Sequence, residues 1–191
     1  EEGAVDWEAV KNAIHDKTKV VAIQRSKGYA VRPSFTVSQI KEMVEKIRLI
    51  KQDVIIFVDN CYGEFVESLE PTDVGVDLMA GSLIKNPGGG IAKTGGYIAG
   101  KKDFVTKCAY RMTSPGIGSE AGASLNTLLD MYQGFFLAPH VVSQAVKGAI
   151  FTSAVLEEVG MTTEPHYSQK RTDLIQSVSF QTPEQMIQFC K

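Results

Sequence analysis

Hydrophobic residues recur along the chain with two alternating periods, which predict an alternation of strands and helices. The run 54–58 is short, apolar and β-branched, as expected of a strand that is covered on both faces of a parallel sheet. Residues 37–51 carry apolar side chains at helical spacing. Thr36, directly before them, and Gln39 are placed as in a capping box. A strand over 19–23 precedes this helix, so the order predicts a right-handed crossover between parallel strands. The predicted fold class is α/β.

The pattern continues with weaker signals. A short helix is expected after Asp6, and the segment after Asp77 is expected to extend the sheet. Further along, the predicted elements are a strand at 95–100, helices at 101–110, 120–133 and 135–159 with Pro139 near the start of the last, a strand at 174–180, and a helix from Pro183. The residue pattern changes after Gly160. We therefore predict part of a large domain over 1–134, a bridging helix over 135–160, and the start of a smaller α+β domain over 161–191.

Two chemically active residues end neighbouring apolar runs. Asp59 ends the run 54–58, and Lys85 ends the next run, just after Ser82. Ligands of open α/β sheets bind beyond the carboxyl ends of the strands, so both residues are expected at one crevice. A lysine can form a Schiff base with the aldehyde of pyridoxal phosphate, and an acid beside the pyridine nitrogen keeps that nitrogen protonated. Ser82 can place a hydroxyl on the phosphate, and the glycines at 88–90 allow close backbone approach.

Other polar positions near these runs are less specific. The loop 24–29 is compatible with an ordinary polar loop and, equally, with contact of Arg25 or Ser26 with a cofactor or substrate. Glu64 and Glu67 are interpreted as solvated loop residues rather than as an acid–base pair. Two nucleotide-binding motifs are rejected: 87–94 has Pro87 and Ala92 where the phosphate loop needs glycine, and no strand precedes the glycine-rich stretch 116–122.

Three segments together resemble a known family. They are Val-Asp-Asn-Cys-Tyr-Gly-Glu-Phe at 58–65, Met-Ala-Gly-Ser-Leu-Ile-Lys-Asn-Pro-Gly-Gly-Gly-Ile-Ala-Lys-Thr-Gly-Gly-Tyr at 79–97, and Pro-His-Tyr-Ser-Gln-Lys-Arg-Thr-Asp at 165–173. They resemble the methionine γ-lyase-like proteins called aluminium resistance proteins, which belong to the fold-type I pyridoxal phosphate enzymes. The resemblance covers essentially the whole chain. It implies an aspartate aminotransferase-like large domain with a mainly parallel sheet and covering helices.

The resemblance also implies roles for individual residues. Asp59 corresponds to the acid on the pyridine nitrogen, Cys61 to the small residue under the ring, Tyr62 to the tyrosine on the 3′-oxygen, Ser82 to the phosphate ligand, and Lys85 to the Schiff-base lysine. Wider fold-type I enzymes often have alanine where this chain has Cys61. Proteins of this family are about twice as long, so the chain looks like an internal fragment. Their active sites lie at subunit interfaces, which implies a homodimer or homotetramer, and the glycine run after Lys85 is expected to be exposed to another chain.

Composition narrows the remaining possibilities. The 191 residues are 43% hydrophobic and carry a net charge of −2, with no Lys/Arg-rich block, so neither nucleic acid nor a membrane surface is an expected partner. No apolar run reaches the roughly 18 residues of a membrane span. Three scattered cysteines (61, 108 and 190) agree with a reducing compartment, and we expect a cytoplasmic protein. Scattered cysteines and histidines give no metal-binding spacing.

The function predicted from the resemblance is a pyridoxal phosphate-dependent carbon–sulfur lyase. Its substrates would be sulfur-containing amino acids such as cystathionine or methionine, as for a cystathionine β-lyase. One fold serves lyases, aminotransferases and synthases, so the motif predicts the cofactor better than the reaction. An aminotransferase or synthase using the same cofactor is one alternative. A catalytically silent protein that keeps the fold for binding or metal tolerance is the other.

Overall fold

The computed structural model describes residues 4–30, 32–122 and 124–191. Five α-helices lie in this part of the chain: α1 (Trp7–Ala13), α2 (Val37–Ile50), α3 (Lys102–Met112), α4 (Leu128–Glu158) and α5 (Pro183–Phe189). The described strands are β1 (Val20–Gln24), β2 (Ile55–Asp59), β3 (Leu78–Ser82), β4 (Gly96–Gly100), β5 (Thr162–Glu164) and β6 (Ser177–Ser179).

Strands β1 to β4 form one sheet in chain order. The pairs β1–β2 and β2–β3 are parallel, whereas β4 runs antiparallel to β3. The register places Val58 opposite Ile23 on one side and Met79 on the other. A mixed α/β fold with a mainly parallel sheet is therefore confirmed, including the parallel pair on either side of α2.

Helix α2 covers one face of this sheet. Its N-terminus is fixed by the predicted capping box, in which the Thr36 side chain accepts from the Gln39 backbone and the Gln39 side chain accepts from the Thr36 backbone. The buried face of α2 packs on Ile56 and Val58, both 0% exposed. Each such aliphatic side chain contributes about 1.5–3 kcal/mol on burial. The opposite face of β2 is only half-buried in this chain, so the expectation that 54–58 is covered on both faces is not met here.

Helix α4 differs from its prediction. In place of the two helices expected at 120–133 and 135–159, the structure has one helix of 31 residues, and the described residues 120–122 and 124–127 before it are not helical. Leu125 and Asn126 have φ angles of +49° and +60°, which a helix does not accommodate. Pro139 lies inside α4 rather than near its start. The helix continues through Pro139 because little is lost there. The proline removes only one backbone N–H, and the carbonyl left without that donor belongs to the exposed residue Phe135.

A second, two-stranded sheet follows α4. Strand β5 pairs antiparallel with β6, and β5 was not predicted. The strand expected at 174–180 is shortened to β6, because the backbone N–H of Leu174 donates instead to the carbonyl of Tyr62, 3.2 Å away. The division into domains stays a prediction.

The glycine run after Lys85 is used inside the chain. Gly88 and Gly89 are buried, and they lie against the backbone of α4 at Gly134. A Cβ on Gly89 would overlap the carbonyl oxygen of Gly134, and a Cβ on Gly134 would overlap that of Gly88. The expectation that this whole run is exposed to another chain is therefore wrong for Gly88 and Gly89, since only Gly90 is open.

We expect Gly134→Ala to destabilise the protein, although alanine is the better helix former. The added methyl group must displace backbone rather than a flexible side chain, which costs about 1–3 kcal/mol. Gly148→Ala is the matched control in the same helix. No atom lies within 4 Å of the added Cβ at position 148, so this change is expected to stabilise by up to about 1 kcal/mol. Denaturant unfolding of the two variants measures the difference, and equal effects would contradict the packing described.

Candidate active site

The site forms where β2 and β3 end. Asp59 is the last residue of β2 and Ser82 the last residue of β3, and Lys85 follows Ser82 after three residues. The backbone N–H of Asn60 donates to the carbonyl of Ala80 at 2.9 Å, which fixes the two strand ends side by side. Asp59 pairs with Ala80 in the sheet. Because side chains alternate along a strand, Ser82 points to the same face as Ala80 and Asp59. This is the face that α2 leaves open.

Cys61 lies between the acid and the lysine. Its backbone N–H donates to Asp59 Oδ1 at 3.1 Å. Burial raises the pKa of the Cys61 thiol, the adjoining Asp59 carboxylate raises it further, and the Lys85 ammonium acts in the opposite direction. The thiol therefore stays protonated at neutral pH. Asp59 and Lys85 are thus both neighbours of Cys61, while the roles of the three residues toward a cofactor stay predictions.

Tyr62 completes this cluster. Its ring centroid lies 4.2 Å from Lys85 Nζ, within the range of a cation–π contact. Tyr62 has a φ angle of +71°, in the left-handed region that a bulky residue rarely adopts. Burial lowers the pKa of Lys85, but the contacts with Cys61 and then Tyr62 outweigh it, so the pKa lies above its ordinary value. Ser82 is half-buried, and its carbonyl accepts from the backbone N–H of Lys85 at 3.2 Å. Its contact with a phosphate stays a prediction.

A buried ion-pair network behind this cluster was missed by the sequence analysis. Arg25, just after β1, is 0% exposed. Its guanidinium donates to Asn60 Oδ1 at 2.8 Å, to Glu67 Oε1 at 3.1 Å and to Glu70 Oε2 at 3.3 Å. Of the two possibilities left open for 24–29, the ordinary polar loop is therefore excluded for Arg25, whereas its contact with a cofactor or substrate stays untested. A useful sequence signal was available: an arginine directly after an apolar strand needs carboxylate partners if it is to be buried and stay charged, and the acids at 64–70 supply them.

Glu64 is buried, at 3% exposed, and the Glu67 side chain is 11% exposed and paired with Arg25, so the interpretation of both as solvated loop residues is wrong. The Tyr97 hydroxyl donates to Glu64 Oε1 at 2.9 Å, whereas Oε2 has no hydrogen-bond partner. Burial raises the pKa of Glu64 to about 7, despite the hydrogen bonds that favour its charged form. Burial and the Glu64 carboxylate likewise raise the pKa of Tyr97. Gly81 makes room for this pair, because a Cβ there would overlap Glu64 Oε1.

We expect Glu64→Gln to stabilise the protein increasingly as the pH rises. The folded-state pKa of about 7 lies above the ordinary value of 4.5, so the folded state binds more protons and loses stability from Glu64 as the pH rises between these values. Glutamine removes this cost, which is about 2–3 kcal/mol above pH 7. Unfolding at pH 5 and pH 8 measures it against Glu42→Gln, a change on the exposed face of α2. A stability difference that is the same at both pH values would refute the raised pKa.

The segment 172–174 closes one side of the site. The Thr172 hydroxyl donates to Glu67 Oε1 at 2.7 Å, and the Ser26 hydroxyl donates to Asp173 Oδ2 at 2.6 Å. The segment 165–173 therefore contacts the loop that continues from the segment 58–65, although these two family-like segments are about a hundred residues apart. The Ser26 hydroxyl, one candidate for contact with a cofactor or substrate, donates its hydrogen bond to Asp173 in this structure.

Neither metal chemistry nor a membrane span is evident in the described residues. Across 4–30, 32–122 and 124–191, no group of three or more His, Cys, Asp or Glu side chains is placed to hold a metal ion. No helix in the same ranges is long and apolar enough to cross a membrane.

The fold and the site together define a class: an α/β protein that presents a lysine amine, a carboxylate and a tyrosine ring at the carboxyl edge of a mainly parallel sheet. The methionine gamma-lyase family matches the sequence over residues 1–191, and the chain belongs to this family.

Similar proteins include an uncharacterized protein and solved structures named as lyases. The chain is 65% identical over 190 residues to YnbB of Bacillus subtilis, an uncharacterized protein. The match covers 100% of this chain and 45% of YnbB. A crystal structure from Listeria monocytogenes, of a candidate cystathionine beta-lyase involved in aluminium resistance, is 61% identical with a TM-score of 0.95, over 98% of this chain and 46% of that one. The crystal structure of a carbon-sulfur lyase involved in aluminium resistance from Clostridium novyi is 47% identical with a TM-score of 0.92. This match covers 100% of this chain and 46% of that one. The chain thus spans a little under half the length of these relatives.

Proposed function

We propose that this protein is a pyridoxal phosphate-dependent carbon–sulfur lyase that acts on sulfur-containing amino acids. The observation that carries the proposal is geometric: Asp59 and Ser82 end neighbouring strands on the open face of the sheet, and Lys85 Nζ lies 4.2 Å from the ring of Tyr62, which follows Asp59 after three residues. The family and the names of its similar structures support a lyase. On this proposal, the sheet is part of an aspartate aminotransferase-like cofactor domain.

The residues present fit the cofactor. Asp59 is exposed at the strand end, where its carboxylate can hold a proton on the pyridine nitrogen. Ser82 faces the same side and can donate to the phosphate, and Tyr62 can contact the 3′-oxygen. Pyridoxal phosphate, when bound, supplies the electron withdrawal that makes a bond at the substrate α-carbon breakable.

Lys85 would have two tasks. Its amine would bond to the cofactor aldehyde in the resting enzyme, and once released by the substrate amine it would carry the α-proton. The elevated pKa of Lys85 keeps its amine protonated in the cofactor-free site, so the amine must lose a proton before it can act as a nucleophile. Cys61, protonated and half-buried, would lie beneath the ring without adding charge.

Borohydride reduction of the full-length protein in the presence of pyridoxal phosphate tests the cofactor assignment. We expect peptide mass spectrometry to find the reduced cofactor on Lys85. Labelling of another lysine, such as the exposed Lys93, would refute the assignment.

A panel of sulfur amino acids tests the reaction class. A lyase releases a thiol, an oxo acid and ammonia from cystathionine or methionine without a second substrate. An aminotransferase would instead need an oxo-acid acceptor and release no thiol. Cofactor bound to Lys85 without either activity would favour the alternative, a catalytically silent protein linked to metal tolerance. The names of similar structures refer to aluminium resistance.

We also propose that the enzyme is a homodimer or homotetramer and works in the cytoplasm on a small amino acid. Helix α4 supports an assembly, because it exposes large apolar side chains, including Leu129 at 75%, Tyr132 at 73% and Phe136 at 82%. Light scattering of the full-length protein is expected to give at least twice the monomer mass. A fully active monomer would rule out the assembly. Free Cys61, Cys108 and Cys190 support a reducing compartment.

A further inference from the structure

Asn86 joins the two segments that carry Lys85 and Tyr62. It directly follows Lys85, and it is only 5% exposed. Its side-chain amide donates to the carbonyl of Tyr62 at 2.9 Å and to that of Glu64 at 3.0 Å. These acceptors lie 24 and 22 residues earlier in the chain, in the loop that follows β2. One buried amide therefore bridges the site.

The backbone of Asn86 accepts a hydrogen bond from the N–H of Gly89 at 3.1 Å, and its neighbours are hydrogen-bonded on both sides. On one side, the N–H of Lys85 donates to the carbonyl of Ser82 at 3.2 Å. On the other, the N–H of Gly88 donates to the carbonyl of Lys85 at 3.1 Å, and Gly88 packs directly against Gly134 of α4. The segment that carries the amide is thus joined to the end of β3 and to α4, as well as to the loop that the amide contacts.

Tyr62 needs such contacts. Its left-handed backbone is unfavourable for an aromatic residue and persists only where its surroundings impose it. Two donors from outside its loop hold its carbonyl: the Asn86 amide and the backbone N–H of Leu174. The backbone held in this way directs the ring to within 4.2 Å of Lys85 Nζ.

We propose that Asn86 is a positioning residue that holds the Tyr62 ring against the Lys85 amine. Its importance in turnover rests on the proposed function, whereas the positioning itself does not. The other group beside the amine is the Cys61 thiol, which in turn lies beside the Asp59 carboxylate. Neither accepts a hydrogen bond from the Asn86 amide, so its effect on Lys85 is expected to pass through Tyr62.

The test measures Lys85 in the cofactor-free, full-length protein. The rate at which trinitrobenzenesulfonate modifies Lys85, followed by peptide mass spectrometry between pH 7 and 11, gives the pKa of its amine. Asn86→Ala is expected to lower this pKa by about 0.5–1, because the ring is no longer held at the amine. Asn86→Ser can still donate one hydrogen bond, so its Lys85 pKa is expected to lie between those of the wild type and Asn86→Ala. If the alanine variant does not fold, the Lys85 pKa of Asn86→Ser tests the proposal.

The control is Ser153→Ala. Ser153 is 0% exposed and hydrogen-bonds to Thr163 at 2.7 Å, where α4 meets β5. This variant also loses a buried hydrogen bond, but it should leave the pKa of Lys85 unchanged. If Asn86→Ala lowered stability as Ser153→Ala does and left the pKa of Lys85 at the wild-type value, Asn86 would be merely structural and the proposal would be overturned.

A double-mutant cycle shows whether Asn86 acts through the ring. In a Tyr62→Ala background, Asn86→Ala should cause no further change in the pKa of Lys85. An equal change in both backgrounds would overturn the proposal. In the active enzyme, Asn86→Ala should lower kcat about tenfold to a hundredfold with a smaller change in KM, as expected when a reacting group is misplaced. Absence of lyase activity in the wild type would refute the proposed function, while the labelling experiment would still decide the role of Asn86.

Discussion

Lys85→Ala in the full-length enzyme is expected to abolish thiol release almost completely. The substitution removes both the amine that would bond to the cofactor and the group that would move the α-proton. Loss of the proton transfer alone costs about 10²–10⁴-fold in rate. Part of the cofactor should remain bound, because Ser82 and Asp59 face the same side of the sheet and are untouched. Thiol release and the cofactor absorbance after gel filtration measure the two effects separately.

Lys93→Ala is the matched control for this change. Lys93 is an exposed lysine eight residues further along the same segment, so it reports any general effect of removing positive charge near the site. We expect its activity to stay near that of the wild type. Lys85→Ala with unchanged turnover, or a larger loss from Lys93→Ala, would show that the lysine has been assigned wrongly.

Asp59→Asn is expected to slow turnover while the cofactor stays attached to Lys85. Asparagine keeps the size and the hydrogen-bonding capacity of the side chain, but it removes the charge that would hold a proton on the pyridine nitrogen. Each pKa unit corresponds to about 1.4 kcal/mol. Losing a few units of basicity at that nitrogen would therefore cost about two or more powers of ten in rate. Steady-state kinetics and the visible absorbance of the bound cofactor measure the outcome.

The opposite end of the same strand offers the control. Asp53 lies just before β2, its side chain is 73% exposed, and it pairs with Lys51 at the surface. Asp53→Asn removes the same charge and is expected to leave kcat and cofactor binding unchanged. If Asp59→Asn kept wild-type turnover with its cofactor bound, Asp59 would be a structural residue even with Lys85 confirmed.

Several elements were predictable because their signals are local. The capping box at Thr36 and the apolar spacing after it specify α2 without help from distant residues. The run 54–58 ends on Asp59 as a strand does, and the strand–helix–strand order fixes a parallel pair. Since parallel strands end at one edge of the sheet, the sequence also predicted that Asp59 and Lys85 would approach each other.

Other features depend on partners that sequence spacing does not reveal. The glycines after Lys85 have the freedom expected of a phosphate or subunit contact, yet Gly88 and Gly89 pack against Gly134, about forty-five residues later in the chain. Pro139 is a local signal for a helix start, but α4 continues through it. From the sequence, Glu64 and Glu67 are interpreted as solvated residues, since charged side chains are seldom buried without a partner, and the partner of Glu67, Arg25, lies in a separate loop.

The sequence by itself determined the fold class, the parallel strand pair and the edge of the sheet at which Asp59 lies, and it predicts which residues there have the chemistry for a site. These follow from periodicity, capping and strand direction, which act over a few residues. Only the tertiary structure decided that Arg25 balances the charge behind the site, that Glu64 is buried with a pKa near 7, and that Asn86 and Leu174 hold Tyr62 beside Lys85. Burial and charge pairing depend on which distant segments meet, so they appear only once the chain is folded.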